Sequence, residues 1–164
     1  MESTSEMNEK ASELNPDVRQ KLDEVLMKEG DRAFDEIPKL DANLTNNNFL
    51  VNAGGAAATL AFMGAKTEAA AAAVWPLLFF TVGLIATGVE IRALLYYFGE
   101  RHNDAIRRRQ GFASDRLTVR ECLPTKDTGK FYARMNHWSG WVSQGCFMIG
   151  SLLGLTGLFK YLGQ

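Results

Sequence analysis

The sequence predicts an all-α integral membrane helical bundle: three transmembrane helices and a short N-terminal cytoplasmic amphipathic helical segment. Three observations predict it. The chain has 164 residues, enough for one small bundle. Its charges are segregated: residues 1–48 hold six Lys/Arg against twelve Asp/Glu, and residues 99–135 hold nine against five. Only Lys66, Arg92, Lys160, Glu68 and Glu90 lie elsewhere, so 49–98 and 136–164 are left almost uncharged. A bilayer core of ~30 Å needs about 20 apolar residues of helix, and both stretches reach that length. This composition excludes a disordered chain and a disulfide scaffold.

The first segment, 1–48, is an acidic cytoplasmic arm. Asn15-Pro16 reads as an N-cap followed by proline at the first helical position. Val18, Leu22, Val25, Leu26, Ala33, Phe34 and Ile37 then keep helical spacing, interrupted near Gly30 and stopped by Pro38. The acidic outer face is repelled by an anionic leaflet, so the apolar stripe is expected to pack on protein. The basic 99–135 loop is its natural mate, within one chain or between neighbours. A plain solubilising cap is the equal alternative.

The second segment, 49–98, is a transmembrane hairpin of helices at about 49–65 and 70–97, joined by Lys66-Thr67-Glu68. The first of these is built mainly of Ala and Gly, at the short end of what a bilayer needs. The loop 99–135 begins as a helical continuation to Arg107-Arg108-Arg109 and breaks at Gly111 and Ser114. Leu117-Thr118-Val119 is a short strand or a loop, and Pro124 to Gly129 is a turn. The third span, in 136–164, is bracketed by Trp138, Trp141 and Tyr161, the aromatic types that suit the interface.

Fifteen of the eighteen Lys/Arg lie in 1–48 or 99–135. The positive-inside rule then puts the N-terminus and that loop in the cytoplasm and the C-terminus outside, in the inner membrane of a cell. The acidic start MESTSEMNEK has no hydrophobic run behind it, so the first span is expected to act as the targeting signal. Cys122 and Cys146 fall at different depths, and a disulfide between them is not expected.

No catalytic pattern emerges, and the chain reads as a non-enzyme. Thr125-Lys126-Asp127-Thr128-Gly129-Lys130 lacks the leading glycine of a phosphate loop, and Phe131 stands where its hydroxyl residue belongs. His102 and His137 fall at the cytoplasmic ends of two spans, but two histidines are the whole inventory. No metal and no cofactor are expected. The basic loop has no aromatic ladder for single-stranded nucleic acid, so that partner is excluded as well.

The candidate site residues are polar groups within the spans. Glu90 lies ~22 Å along the helix from Trp75, still within the ~30 Å core. It either faces a bundle interior or, if the span ends near Val89, an interface. Asn52 and Gln144 are its candidate polar partners. Gly54, Ala57, Ala61, Gly150 and Gly154 are the small residues expected to let helices pack closely, inside the bundle or in a homo-oligomer. Arg107, Arg108 and Arg109 are candidates for contact with lipid headgroups or a partner, with a topology signal as the plainer reading.

The run Asn52-Ala53-Gly54-Gly55-Ala56-Ala57-Ala58-Thr59-Leu60-Ala61-Phe62-Met63-Gly64 resembles the first span of small uncharacterised bacterial inner-membrane proteins. The plan is similar to that of membrane effectors of anti-phage defence. Glu90, the small-residue ladders and the charged cytoplasmic parts point to an oligomer that forms or gates a pore, or perturbs the membrane, under control of its cytoplasmic face. A defence effector of the kind the plan resembles is a special case. The alternative is a non-catalytic anchor or assembly subunit that docks a soluble partner. The partners expected are membrane lipids, further copies of the chain, and a cytoplasmic protein or small-molecule ligand.

Overall fold

The computed structural model describes residues 9–35, 41–65, 70–123 and 129–162, without the side chains of 33–35, 41–44, 161 and 162. The Lys66–Glu68 turn, Ile37, Pro38 and the 124–128 stretch lie outside the described residues. Five helices follow in order: α1 (Pro16–Asp35), α2 (Asp41–Ala65), α3 (Ala70–Ala113), α4 (Val119–Cys122) and α5 (Lys130–Leu162). The chain divides into two units, one of residues 1–39 and 95–132, the other of 40–94 and 133–164. Both long helices, α3 and α5, contribute to each.

The first unit is built on α1 and the last part of α3. Asn15 caps α1 as its sequence requires, its side-chain oxygen accepting from the Asp17 N–H at 3.0 Å. Gly30 does not interrupt the helix, which runs on to Asp35. Glycine inside a helix weakens it by about 1 kcal/mol, which tertiary packing readily offsets. Here Gly30 is buried close to Ala105 and His102. The core joins Leu26 of α1 to Phe112, Ala11 and Cys122, with Leu14, Leu22, Leu117 and Val119 around it. Only part of the expected apolar stripe is used, since Val18 and Val25 are exposed.

The break after α3 falls where Gly111 and Ser114 place it: the helix ends at Ala113, and Asp115 takes a positive φ of 54°. Lys10 and Thr118 then form an isolated antiparallel bridge, and the Val119 N–H donates to the Glu9 carbonyl at 3.1 Å. Leu117-Thr118-Val119 is thus neither a full strand nor a free loop. Glu121 accepts from the Thr118 N–H at 2.9 Å, closing the single turn of α4. Before α5, Gly129 has φ +78°, and a Cβ there would press on the Tyr97 ring at 2.6 Å.

The second unit brings α2, the first part of α3 and most of α5 together. Its interior mixes Ala73, Phe80, Ala86, Ala93 and Cys146 with an unusual share of polar side chains. Buried positions hold Asn52, Thr87, Glu90 and Ser143, while Trp75, Trp138, Trp141, Leu152 and Phe159 are exposed. Exposed apolar surface on this scale needs an apolar surrounding or a partner. Two of its helices, α3 and α5, are long and apolar enough to cross a membrane.

Of the three expected spans, two are matched on this measure by α3 and α5, and α2 falls short of it. The reason is composition. Ala and Gly add little apolar surface, and α2 also carries Asn46, Asn47, Asn48 and Asn52. The helix starts at Asp41, before the apolar run, and α5 likewise begins at Lys130, before the boundary expected at 136.

Candidate functional site

A column of polar side chains runs between the three helices of the second unit. On α2, Thr45, Asn48 and Asn52 sit at positions i, i+3 and i+7, which share a helix face, and all three are buried. On α3 the matching face carries Gly83, Thr87 and Glu90, with Ala86 and Ala93 in the same stripe. On α5 it carries Asn136, Ser139, Gly140 and Ser143.

Glu90 is only 7% exposed. The Asn48 amide donates to its carboxylate at 3.3 Å. Gly140 lies opposite, and a Cβ on it would come within 3.2 Å of the same carboxylate. Glu90 therefore faces the interior of its unit. A carboxylate in such surroundings is costly unless it is hydrogen-bonded or neutralised, and within a membrane such residues usually mark an ion or proton path.

One turn further along α2, Asn52 is fully buried. Its amide nitrogen donates to the Asn48 carbonyl at 2.9 Å and to the Ser143 hydroxyl at 3.1 Å. Ser143 in turn shares a 2.9 Å hydrogen bond with Thr87, whose hydroxyl also reaches the Gly83 carbonyl at 3.0 Å. The Asn52 side-chain oxygen has no hydrogen-bond partner and lies against Gly83, where any Cβ would collide with it. Such close approach of a helix backbone to an oxygen is the geometry of weak Cα–H···O contacts. Thr45 and Asn136 also hold buried oxygens without a partner. From Thr45 to Asn52 the column covers about 10 Å of helix.

Gln144 does not join this network. It is exposed, and Ser143, one residue earlier, takes the inward position. One residue along a helix turns the side chain by about 100°, so polarity alone did not identify the face. Of the small residues expected to pack closely inside the bundle or in a homo-oligomer, most are not used inside the unit. Gly54, Ala57 and Ala61 are exposed, and a Cβ on Gly54 or Gly154 would touch nothing within 4 Å. Close packing inside the unit is made by Gly55, Gly83 and, among the expected positions, Gly150, whose Cβ would stand 3.0 Å from the Phe80 ring.

The arginine run belongs to the other unit and splits into three environments. Arg108 is buried and forms a bidentate pair with Glu29 at 3.0 and 3.2 Å, a second pair with Asp104 at 3.0 Å, and a bond to the Cys122 carbonyl at 3.0 Å. Arg109 pairs with Asp23 at 2.7 and 2.9 Å in a more exposed position. That hydrogen bond holds the Asp23 carboxyl below its usual range. Both arginines are therefore occupied by the chain's own acidic arm, while Arg107 is exposed. Of the two ways the arm and the loop could mate, the structure shows the one within a chain.

The histidines are engaged separately. His102 Nδ1 is 3.5 Å from the Gly30 carbonyl, and His137 accepts a hydrogen bond from the Trp141 indole at 3.1 Å. No cluster of three or more His, Cys, Asp or Glu that could hold a metal occurs among the described residues. Cys122 is buried beside Arg108, and burial pushes its thiol up from the ordinary range.

Sequence reasoning missed Asn48, Thr87, Ser143 and Gly83. The signal was present as spacing: Gly83, Thr87 and Glu90 form an i, i+4, i+7 row, and Ser139 and Ser143 an i, i+4 pair, each inside an apolar run. Compared with known proteins, the chain matches no family model, no curated protein and no solved structure.

Proposed function

We propose that the chain is a small multi-pass inner-membrane protein that assembles with copies of itself and gates the passage of ions or protons under control of its cytoplasmic face. The observation that carries this reading is the burial of Glu90 within a hydrogen-bonded polar column, surrounded by helices whose outward faces are apolar. In this reading α2 is the third span. Its weakly apolar composition is tolerated because Asn48 and Asn52 turn inward to polar partners. The N-terminus and the arginine-bearing unit then lie in the cytoplasm, and the C-terminus outside.

The buried polar faces of α2, α3 and α5 meet one another within a single copy, so in this reading the conducting state forms by rearrangement between copies. Gly54, Ala57 and Ala61, which are exposed, supply a surface on which another helix approaches closely. Separating Asn48 from Glu90 exposes the carboxylate to the route so created. An effector that depolarises the cell, as the resemblance to anti-phage membrane proteins suggests, is a special case. The function is non-catalytic.

The direct test is overexpression with a potential-sensitive dye, in resting and phage-challenged cells. Depolarisation that is lost in Glu90→Gln supports the reading, and an unchanged potential in both conditions refutes it. A second reading, an anchor for a soluble partner, is favoured by the exposure of Val18 and Val25 on α1. Purification in mild detergent separates the two: a stoichiometric partner protein supports the anchor, and a homo-oligomer alone supports the gate.

A further inference from the structure

A cleft of about 470 Å³ opens in the second unit, away from the polar column, and its lining identifies what fills it. Phe80 forms one wall, with Gly55 and Gly150 drawn in against its ring. Ala72, Pro76 and Leu158 continue the lining, and Lys160 is its one charged residue among the described residues. The size falls in the ~300–1,000 Å³ range of small-molecule sites.

Two features at one end are polar. Pro76 has no N–H, so it cannot donate the i→i−4 bond that the Ala72 carbonyl would receive within α3. In hydrocarbon such a freed carbonyl calls for another donor. Gly157 of α5 stands opposite Ala72, with the Ala72 Cβ 4.0 Å from where its own Cβ would be, and Lys160 follows one turn later. A cation, and a carbonyl without its regular α-helical donor, therefore line the same end of a cleft whose other polar side chains among the described residues are the hydroxyls of Thr59 and Ser151.

We infer that the cleft binds an anionic phospholipid bearing headgroup hydroxyls, of the phosphatidylglycerol type. Its acyl chain lies along Phe80 and the glycines, its phosphate meets Lys160, and a hydroxyl reaches the Ala72 carbonyl. A zwitterionic lipid brings its own ammonium beside Lys160 and is disfavoured. The inference rests on membrane placement alone, not on ion passage.

The test uses the full chain, first shown to fractionate with membranes and then purified in mild detergent. Native mass spectrometry follows retention of phosphatidylglycerol against phosphatidylethanolamine of matched chains. The wild type is expected to retain phosphatidylglycerol preferentially. Lys160→Gln, a surface change that leaves the helices intact, should reduce that preference about fivefold, the effect of one cation beside a charged lipid surface. Gly154→Leu fills the cleft from a position where a Cβ meets nothing within 4 Å, and should abolish retention of both lipids. Gly88→Leu, outside the cleft and at a position where a Cβ meets nothing within 4 Å, should change neither.

Equal retention of the two lipids by the wild type overturns the inference. So does a preference that survives Lys160→Gln, or binding that survives Gly154→Leu. Loss of the oligomer rather than of lipid in Gly154→Leu would show a second copy seated there instead. Failure to fractionate with membranes would refute the membrane reading itself, which keeps the two failures apart.

Discussion

Replacing Arg108 with alanine should loosen α1 far more than the same change at Arg109, although the two stand side by side in one basic run. Arg108 directs its guanidinium to Glu29, Asp104 and the Cys122 carbonyl. Removing one partner of a buried ion pair costs roughly 3–5 kcal/mol. The side chains of Glu29 and Asp104 are 24% and 31% exposed, so water screens part of the loss. About 2–3 kcal/mol remains after that discount. At 1.4 kcal/mol per tenfold, amide exchange near Leu26 and Glu29 should accelerate roughly 30- to 150-fold. Arg109 and Asp23 are 45% and 42% exposed, and Arg109→Ala should change exchange by no more than about threefold. Hydrogen exchange on the full chain, read peptide by peptide, distinguishes these outcomes. Equal effects of the two substitutions, or a change within threefold for Arg108→Ala, would refute the assignment of Arg108 as the centre of this unit.

Three further outcomes are expected. Glu90→Gln should preserve expression and oligomer size while lowering ion passage, because the amide keeps hydrogen-bonding capacity without the charge. Glu90→Leu should also disturb assembly, since Asn48 loses its acceptor, whereas Arg92→Gln should be mild; equal and negligible effects of all three would remove Glu90 from the mechanism. Gly83→Ala should lower the thermal midpoint in detergent, at about 1–3 kcal/mol of overpacking, while Gly88→Ala, which meets nothing within 4 Å, should leave it unchanged or raise it. Peptide-resolved thiol labelling should find Cys122 slower at pH 8 than in the unfolded chain, because burial raises its pKa. The sign follows: stability is unaffected below the free-thiol range of about 8.5 and falls as pH rises through the folded value. Labelling of folded Cys122 at the unfolded rate would contradict this.

The helical class and the start of α1 could be read from the chain because each has a local cause. Asn15-Pro16 forms a cap with its nearest neighbours, and the uncharged runs state their own length. The mating of acidic arm and basic loop was readable as charge, but its pairing was not. Nothing local distinguishes Arg108 from Arg109; only the burial of one beside Glu29 and Cys122 does. The interior column was half readable. Glu90 and Asn52 stand out by type, whereas Ser143 is inconspicuous beside the larger Gln144 and is chosen by helix phase alone. The small residues misled for a related reason. Gly54 and Gly55 are equivalent in composition, and only the position of Phe80 makes the second one the packing site.

The hydrogen bonds of Asn52 have a consequence for how the chain is made. Its partner Ser143 lies 91 residues later. At about 5–20 residues per second of synthesis, α2 waits roughly 5–20 s before the helix that satisfies its amide has emerged. On the proposed membrane reading, α2 enters the bilayer during that interval with only the Asn48 carbonyl of its own helix to meet the Asn52 amide and little apolar surface to hold it there. Its insertion then depends on α3 following closely as the second arm of a hairpin, and its retention on α5. A chain truncated before Ser143 is therefore expected to leave α2 poorly anchored and open to membrane proteases, so the last helix acts as the checkpoint for the first.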